Sequence, residues 1–381
     1  MKLELTDEQQ MVQSLARDFA EQEVKPIAGE CDREARFPHA TVKRMGELGL
    51  MGIMVPEKLG GVGADTLTYI LALEEVAVAC ASHAVIMSVN NSLVGAPIHW
   101  FGTPEQHERF LTPLASGRGL GCFALTEPQA GSDARNQATL ARRDGDHYVL
   151  DGRKIFVTSG RESTVALVFA QTDPAKAHHG ISGFLVEKGT PGFLIPKVEE
   201  KLGLRASDTA EFVFEECRVP AANRLGDEGQ GFKVAMKAID GGRIGIAAQA
   251  VGIARAALEA SVAYARERKS FGVPIGQHQM IAWMLADMAT AVDAARLLTW
   301  RAATLKDRGQ PYGTAGSMAK LYAAEMAMRV TTDAIQVHGG HGYIKEYPVE
   351  RYFRDAKITQ LYEGTSQIQR LVIARSLLEL K

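Results

Sequence analysis

The strongest constraint on the fold is a long stretch without proline in the second half of the chain. The run from Lys233 to Lys269 contains no proline and is rich in Ala, Ile and Val. Because proline breaks helices, this run predicts one long helix that ends at the Gly-Val-Pro sequence starting at Gly272. Residues 277–306 and 315–337 have the same helical spacing of apolar side chains. Long antiparallel helices of this kind form a bundle, which we predict for residues 229–381.

The first part of the chain, residues 1–120, is also predicted to be helical. Thr6 and Gln9 have the spacing of a capping box, and Thr103 stands directly before a proline; both patterns are typical of helix starts. Residues 66–81 are apolar on most faces, so we expect a buried helix there.

Residues 121–228 have a different pattern, in which short β-rich runs alternate with turn dipeptides. Asp144-Gly145 and Asp151-Gly152 flank one such run and are typical of turns. We predict a central antiparallel β-barrel or sandwich that ends near Pro220. The whole chain is therefore predicted to be α+β, with a helical domain on each side of the β domain. The remaining runs are residues 165–169, 183–186, 193–195 and 211–214.

Composition narrows the class of protein. The net charge is −2, so no basic field indicates nucleic acid as a partner. The four cysteines have no CxxC or metal-ligand spacing, and we expect reduced thiols. We expect no apolar run of the roughly 18 residues that span a membrane, and the N-terminus is unlike a signal peptide. Cytoplasm is the expected compartment, and a mature mitochondrial matrix protein is the alternative.

Residues 362–370, Tyr-Glu-Gly-Thr-Ser-Gln-Ile-Gln-Arg, are the best candidate for chemistry. Ser366 and Gln369 have capping-box spacing, so a helix is predicted to begin here. Its N-terminus offers free N–H donors, and Gly364 permits close approach of another molecule. Glu363 is then either a general base or an ordinary surface residue at a helix cap.

This stretch resembles the signature of the acyl-CoA dehydrogenase family, in which the Glu removes an α-proton from the substrate. Further segments of the chain match the family in the same order and over the whole length. The sequences at residues 239–254 and 295–307 look most like the short-chain, butyryl-CoA branch. In some relatives the base stands at the position of Gly242, but here the acid is at Glu363.

The resemblance implies the acyl-CoA dehydrogenase fold and FAD-dependent α,β-dehydrogenation of an acyl-CoA thioester, as in fatty acid β-oxidation. It also implies a homotetramer and an electron-transferring flavoprotein as the acceptor. Carried over position by position, the residues implied to contact FAD are Phe123, Ala124, Leu125, Thr126, Ser132, Phe156, Val157, Thr158, Arg268, Phe271, Gln279, Gln336, Val337, His338, Gly339, Gly340, Thr365, Ser366 and Gln367. Those implied to contact the substrate are Ser132, Asp240, Gly241, Gly242, Arg243 and Gly364.

Each of these segments also has an ordinary structural explanation. The Gly/Ser/Asp loop around Ser132 is compatible with a β-turn. The glycine pair before Arg243, at about 1 kcal/mol each relative to Ala in a helix, also fits tight helix packing. Cations near Arg268 are favoured at a helix C-terminus. Phe156 is compatible with core packing; the family usually has Trp there, and Phe lacks the indole N–H. His338 and nearby His341 lack a third metal ligand.

Other functions remain as alternatives. A branched short-chain acyl-CoA dehydrogenase fits the same motifs. An acyl-CoA oxidase is a rival, although oxidases that resemble this family are usually much longer chains. A flavin monooxygenase on the same fold would not need Glu363 in this setting. A CoA- or flavin-binding protein without activity is possible in principle, because a fold does not determine a function.

Overall fold

A computed structural model of the chain describes residues 4–380. Helices, strands and again helices follow one another along the chain, as the sequence predicts. Both predicted N-terminal caps are present, because Thr6 pairs with Gln9 and Thr103 with Gln106 in capping boxes. The helices of the first part are α1 (Asp7–Phe19), α2 (Lys25–Glu34), α3 (His39–Glu47), α4 (Thr66–Ala79), α5 (Ala81–Ser88), α6 (Ala96–Phe101), α7 (Pro104–Gln106) and α8 (Thr112–Ala115).

Three π-helical segments interrupt these helices, at Ala20–Val24, Val89–Gly95 and His107–Leu111. The second one joins α5 to α6 and is entirely buried. Irregular turns of this kind are frequent at functional sites. Helix α4 is buried along nearly all its length, as its apolar sequence predicts.

The central region contains one eight-stranded sheet rather than a purely antiparallel one. Strand β4 pairs in parallel with both β1 and β2, whereas the other pairs are antiparallel. The strands are β1 (Gly121–Ala124), β2 (Leu140–Asp144), β3 (His147–Thr158), β4 (Val165–Gln171), β5 (Ile181–Glu187), β6 (Phe193–Val198), β7 (Thr209–Pro220) and β8 (Arg224–Leu225), in the order β6-β7-β3-β2-β4-β5-β8 with β1 on β4. The sequence did not reveal the parallel pairs, since they join strands that are not consecutive.

One predicted turn is wrong. Asp144-Gly145 does turn the chain, but Asp151-Gly152 lies inside β3 at a shift of register. Gly152 has a φ of 150°, and a Cβ there would lie 2.7 Å from the Thr139 Cα. The glycine therefore serves a bulge within a long strand, which uses the same residue type as a turn.

The C-terminal region contains the three predicted long helices. They and the shorter elements around them are α9 (Gly231–Glu267), β9 (Lys269–Ser270), β10 (Val273–Pro274), α10 (Gln279–Asp307), α11 (Gly313–His338), α12 (Val349–Ile358) and α13 (Ser366–Leu377). Helix α9 is long and apolar enough, by length and composition, to cross a membrane, contrary to the expectation that the chain has no such apolar run. Two thirds of its most apolar window, 67%, is buried within the chain, as in the core helix of a globular fold.

One main core joins both helical regions to the sheet. Helix α9 packs on α4, α10 and α11, and the apolar side chains of these helices form one cluster. Alternate residues of β4 divide between two cores: Leu167 and Phe169 join the helical core, and Ala166 and Val168 join a separate core inside the β region. This alternation is the period of a strand buried on both faces.

A buried ion pair anchors the loop that follows β1. Lys154 Nζ lies 2.6 Å from Glu127 Oε1, and both side chains are almost completely buried. The same carboxylate accepts hydrogen bonds from the backbone N–H groups of Ala138 and Thr139. Burial opposes ionisation of Glu127, but the charge and hydrogen bond of Lys154 lower its pKa below the ordinary value. The pair thus ties both ends of the loop containing Ser132 to β3.

We predict that Lys154→Met destabilises the chain by about 3–5 kcal/mol, because it leaves a buried carboxylate unpaired. Urea unfolding followed by fluorescence measures the effect. Lys197→Met is the matched control, since Lys197 forms an exposed pair with Glu199 and its loss should change little. Equal unfolding midpoints for the two variants would show that the buried pair does not stabilise the loop.

Candidate active site

A cleft of about 210 Å³ lies where the helical regions meet the β region. Its wall brings together residues from α5 and the π-helical segment, from the end of β1, from the end of β3, from α9 and from the turn before α13. The residues are Val85, Val89, Leu93, Phe123, Leu125, Thr126, Gly131, Ser132, Ala134, Phe156, Thr158, Met236, Ile239, Arg243, Tyr362, Glu363, Gly364 and Ile368.

Glu363 enters this cleft from a tight turn between α12 and α13. Glu363 and Gly364 both have left-handed backbone, with φ of 52° and 88°. Such a conformation is unfavourable for a residue with a Cβ and persists where neighbours enforce it. The Gln369 amide enforces this conformation because it donates hydrogen bonds to the carbonyls of Glu363, at 3.1 Å, and Gly364, at 2.9 Å. Lys320 of α11 also donates to the Gly364 carbonyl, at 2.7 Å.

The predicted cap of α13 is displaced by one residue. The helix begins at Ser366, but Thr365 is its N-cap and accepts from the Ile368 N–H. Gln369 does not reach back to the cap, because its amide is engaged by the two carbonyls of the turn. The capping-box spacing therefore predicted a helix start at the correct place, although Thr365 rather than Ser366 is the cap.

The Glu363 carboxylate is poorly solvated. Its Oε2 atom is buried and has no hydrogen-bond partner in residues 4–380. Burial raises the pKa of Glu363 to about 8, although the positive charges of Lys320 and Arg243 oppose this rise. Desolvation disfavours the charged form of an acid, so this group binds a proton far more tightly than an exposed Glu.

Gly242 of α9 faces this carboxylate directly. A Cβ at this position would overlap the Glu363 carboxylate and would lie 2.9 Å from the Leu93 Cδ2. Absence of a side chain at Gly242 is thus a condition for Glu363 to reach the cleft. Gly241 has no such role, since its nearest neighbour is Lys306 Nζ at 3.6 Å from the Cβ position.

Two further predicted substrate residues lie on the same helix, whereas Ser132 lines the cleft from the loop after β1. Arg243 is buried, lines the cleft and donates to Asp240 at 2.7 Å. Its Nε atom is buried without a partner in the described part of the chain. Asp240 is one turn earlier on α9 and does not itself line the cleft.

The β region contributes the opposite wall. Phe123, Leu125 and Thr126 line the cleft, and Thr126 is held to β3 by the hydrogen bond from the Ile155 N–H to its carbonyl, at 2.9 Å. Phe156 and Thr158 are at the end of β3. Both also line a second, adjoining cavity of about 340 Å³.

Two predicted neighbours of these residues point elsewhere. Ala124 and Val157 are buried in the core of the β region, because side chains alternate along a strand. Phe156 has a φ of 56° at a shift of register, and its side chain is 63% exposed. It is therefore not an ordinary core residue.

A separate surface cleft of about 480 Å³ contains Arg268 and the predicted segment from Gln336 to Gly340. None of its wall residues is shared with the cleft at Glu363. Phe271, at a two-residue turn between β9 and β10, is 98% exposed. Four other predicted residues do not line the main cleft. Gln279 begins α10, Thr365 is the N-cap of α13, Ser366 is buried at the start of that helix, and Gln367 is exposed on it.

The two histidines near this surface cleft belong to an aromatic cluster. The His338 ring stacks on Tyr264 with centroids 4.3 Å apart, and the Tyr264 hydroxyl lies 2.7 Å from His341 Nδ1. Among residues 4–380, no group of three or more metal-ligating side chains is arranged to hold an ion.

Several residues of the main cleft were not found from the sequence. Val85, Val89 and Leu93 have helical i, i+4 spacing, which is identical to that of core packing. Lys320 and Gln369 support the turn through bonds between segments that are distant along the chain. For Lys320 the available signal was a lysine in an otherwise apolar helical stretch.

Three consecutive domains of known proteins match the chain. The acyl-CoA dehydrogenase N-terminal domain matches residues 6–118, the middle domain residues 122–217 and the C-terminal domain residues 229–378. The chain belongs to the acyl-CoA dehydrogenase family. It is therefore an oxidoreductase, and the fold implied by its motifs is confirmed.

Individual members of the acyl-CoA dehydrogenase family are similar over their whole length. The short-chain specific acyl-CoA dehydrogenase of Mus musculus is 54% identical over 99% of this chain and 91% of its own length. The structure of butyryl-CoA dehydrogenase from Megasphaera elsdenii has a TM-score of 0.98 and 47% identity, covering 99% of this chain and all of that one, 100%. A chain in the structure of the electron transferring flavoprotein of Acidaminococcus fermentans has a TM-score of 0.98 and 50% identity, covering 99% and 100%.

Acyl-CoA dehydrogenases are FAD-dependent flavoproteins, and the residues present here fit that cofactor. The main cleft and the adjoining cavity share Val85, Phe156, Thr158 and Tyr362, so a flat ring has room beside polar Thr158. Ser366 Oγ is buried without a partner in the described residues, as a hydroxyl that awaits a ligand would be. Thr126 and Thr158 in the wall of the main cleft would hold the ring.

The raised pKa of Glu363 predicts a pH-dependent effect of Glu363→Gln on stability. Between pH 4.5 and about 8 the unfolded chain releases this proton while the folded chain keeps it. The wild type therefore loses stability relative to Glu363→Gln as the pH rises through this range, and the two converge at lower pH. Melting temperatures measured across the range test this. A constant difference between the two proteins would contradict a raised pKa.

Proposed function

We propose that this protein catalyses α,β-dehydrogenation of short, straight acyl-CoA thioesters and passes the electrons to an electron-transferring flavoprotein. The observation that carries the proposal is Glu363, whose carboxylate has a buried oxygen and a raised pKa and lines the cleft. An acid on a strained turn at the junction of three chain segments is typical of a catalytic group.

Glu363 acts as the general base. An α-proton of a thioester is weakly acidic, and an exposed Glu, with a pKa near 4.5, is too weak a base to remove it efficiently. Burial beside Gly242 and Leu93 strengthens this base, because the protonated product is favoured where solvation is poor. A base whose pKa is near the working pH combines adequate strength with a useful ionised fraction.

The backbone of the same turn offers a donor for the developing negative charge. The Glu363 N–H makes no hydrogen bond to another group in residues 4–380. An N–H fixed in a water-poor cleft stabilises an enolate oxygen without reorganisation. Bound FAD supplies the redox chemistry as the acceptor of the substrate hydride.

The preference for short chains rests on the relatives of this chain. The short-chain specific acyl-CoA dehydrogenase of Mus musculus and the butyryl-CoA dehydrogenase of Megasphaera elsdenii support a short acyl substrate. Val85, Val89 and Leu93 supply apolar side chains to the cleft that such a chain could contact.

An exposed apolar surface supports docking of a flavoprotein partner. Phe156, Leu202 and Leu361 line the cavity that adjoins the main cleft, and they are 63%, 61% and 49% exposed. Apolar groups clustered at the surface mark interaction sites. Similarity to a chain in an electron transferring flavoprotein structure supports the same partner class.

Helix α9 supports an assembly in which subunits share FAD, and we propose a homotetramer. Gly242 is on α9 and Arg268 is the C-cap of that helix, so a rise of 1.5 Å per residue separates them by about 39 Å. One dinucleotide is too short to contact Glu363 and the Arg268 cleft of the same subunit. The Arg268 cleft is therefore assigned to the FAD of a neighbouring subunit.

We predict that Glu363→Gln lowers the rate of flavin bleaching by at least the ~10²–10⁴ typical of losing a general base. Purified protein is mixed anaerobically with straight and branched acyl-CoAs of different lengths. An optimum at about four to six carbons is expected from the similarity to short-chain relatives. FAD content is the control, since the amide keeps the shape of the side chain. A long-chain or branched optimum would contradict the proposed specificity, and an unchanged rate would remove Glu363 as the base.

The contact between Gly242 and Glu363 predicts a second route to the same chemistry. Glu363→Gly combined with Gly242→Glu should recover part of the activity, because a carboxylate from α9 then occupies the space vacated by Glu363. Gly242→Glu alone is the control and should disrupt the cleft by overlap with Glu363. Recovery no greater than in Glu363→Gly would show that α9 cannot direct a base to the substrate.

We predict that Arg268→Lys weakens FAD binding and the assembly together, because a point charge replaces a bidentate fork. Flavin content and light scattering of the same samples measure both effects. Arg301→Lys, at an exposed position on α10, is the control. A wild-type monomer saturated with FAD would rule out the shared site.

A further inference from the structure

Lys320 is a completely buried lysine without an acidic partner. It lies on α11, and no carboxylate within residues 4–380 is within 4.0 Å of its ammonium. Its hydrogen bond is to the Gly364 carbonyl, at 2.7 Å. Burial of an unpaired ammonium is unfavourable, and burial lowers the pKa of Lys320 to about 8. A lysine that only filled space in the bundle would be replaced at less cost by an apolar residue of similar length.

The bonds of Lys320 act on the backbone of the catalytic turn. The Gly364 carbonyl accepts from both Lys320 Nζ and the Gln369 amide. Two donors on one carbonyl fix the peptide plane between Gly364 and Thr365. The Gln369 amide also holds the preceding carbonyl, that of Glu363, so Lys320 and Gln369 together hold the turn from which the Glu363 side chain enters the cleft.

The charges around Lys320 come from three segments. Glu363 is on the turn before α13, Arg243 is on α9, and Glu325 is on α11 itself, where Arg370 of α13 approaches it at 3.8 Å. Arg243 is also paired with Asp240. Lys320 has no comparable partner, so its charge acts most strongly on Glu363.

Two neutral phenols complete the surroundings of the base. Tyr362 donates to Gln249, and Tyr69 of α4 donates to Ser88 at 3.0 Å. Burial raises the pKa of both hydroxyls, and the charge of Glu363 adds to the rise. Lys320 and Arg243 are thus the cations that favour ionisation of Glu363.

We propose that Lys320 is a positioning residue for the base: it fixes the turn of Glu363 and Gly364, and its charge favours the ionised form of the Glu363 carboxylate. The expected effect of Lys320 on the reaction rate rests on the proposed function. In this arrangement burial makes the base strong, and Lys320 keeps a usable fraction of it ionised near neutral pH.

Two neutral variants separate the charge from the hydrogen bond. Lys320→Met removes both, whereas Lys320→Gln keeps an N–H donor on a side chain one bond shorter. Lys345→Met removes an exposed lysine and is the matched control. Infrared titration of the FAD-containing protein, with the Glu363→Gln spectrum subtracted, reports the protonation of Glu363 directly.

We expect the pKa of Glu363 to rise by about one unit or more in both Lys320 variants, as for loss of a nearby opposite charge. The bleaching rate near neutral pH should then fall by about tenfold and recover at higher pH, since one pH unit is a factor of ten in the ionised fraction. At high pH, Lys320→Gln should reach a higher plateau than Lys320→Met. The control should titrate as the wild type does.

An unchanged Glu363 titration in Lys320→Gln would overturn the inference, as would a rate loss that is equal at every pH. If Lys320→Met does not fold, Lys320→Gln alone decides. The infrared measurement needs no turnover, so its outcome stands apart from the proposed function. If none of the acyl-CoAs bleaches the flavin of the wild-type protein, the proposed function is refuted. The infrared comparison then still tests the role of Lys320.

Discussion

The close approach of the Glu363 carboxylate to the bare backbone of Gly242 is the contact on which the site depends. It brings together a turn near the C-terminus, the central helix α9 and Leu93 of the π-helical segment. Each of these belongs to a different part of the chain, and a single extra carbon at Gly242 would separate them. The helical core positions α9, and α9 in turn sets where the base lies.

Two opposing electrostatic effects act on this base. Burial disfavours the ionised carboxylate, whereas the positive charges of Lys320 and Arg243 favour it. Burial outweighs the two charges, so the group is a strong base that is still titratable in the ordinary range. Burial and a positive charge also compete at Glu127. There the pKa of the carboxyl is lowered, because Lys154 is in direct contact with it.

The sequence was sufficient for the order of domains, for the long helices and for Glu363. Proline-free apolar runs and a glycine after a lone acid are local patterns that few other structures produce. It was insufficient where distant segments meet. The parallel strand pairs of β4, the bulge at Gly152 and the displaced cap at Thr365 all depend on neighbours far along the chain. For the same reason Lys320 and the wall of Val85, Val89 and Leu93 could not be distinguished from core residues.

The π-helical segment has a consequence for how the cleft can change between relatives. A π-turn contains one residue more than the α-helical turn that it replaces. Deletion of a single residue within Val89–Gly95 would restore a regular helix, with the residues before and after the segment kept on their present faces. Only side chains within the segment, such as Leu93, would change direction relative to Gly242. The depth of the cleft can thus be altered by a change in segment length, with every wall residue retained.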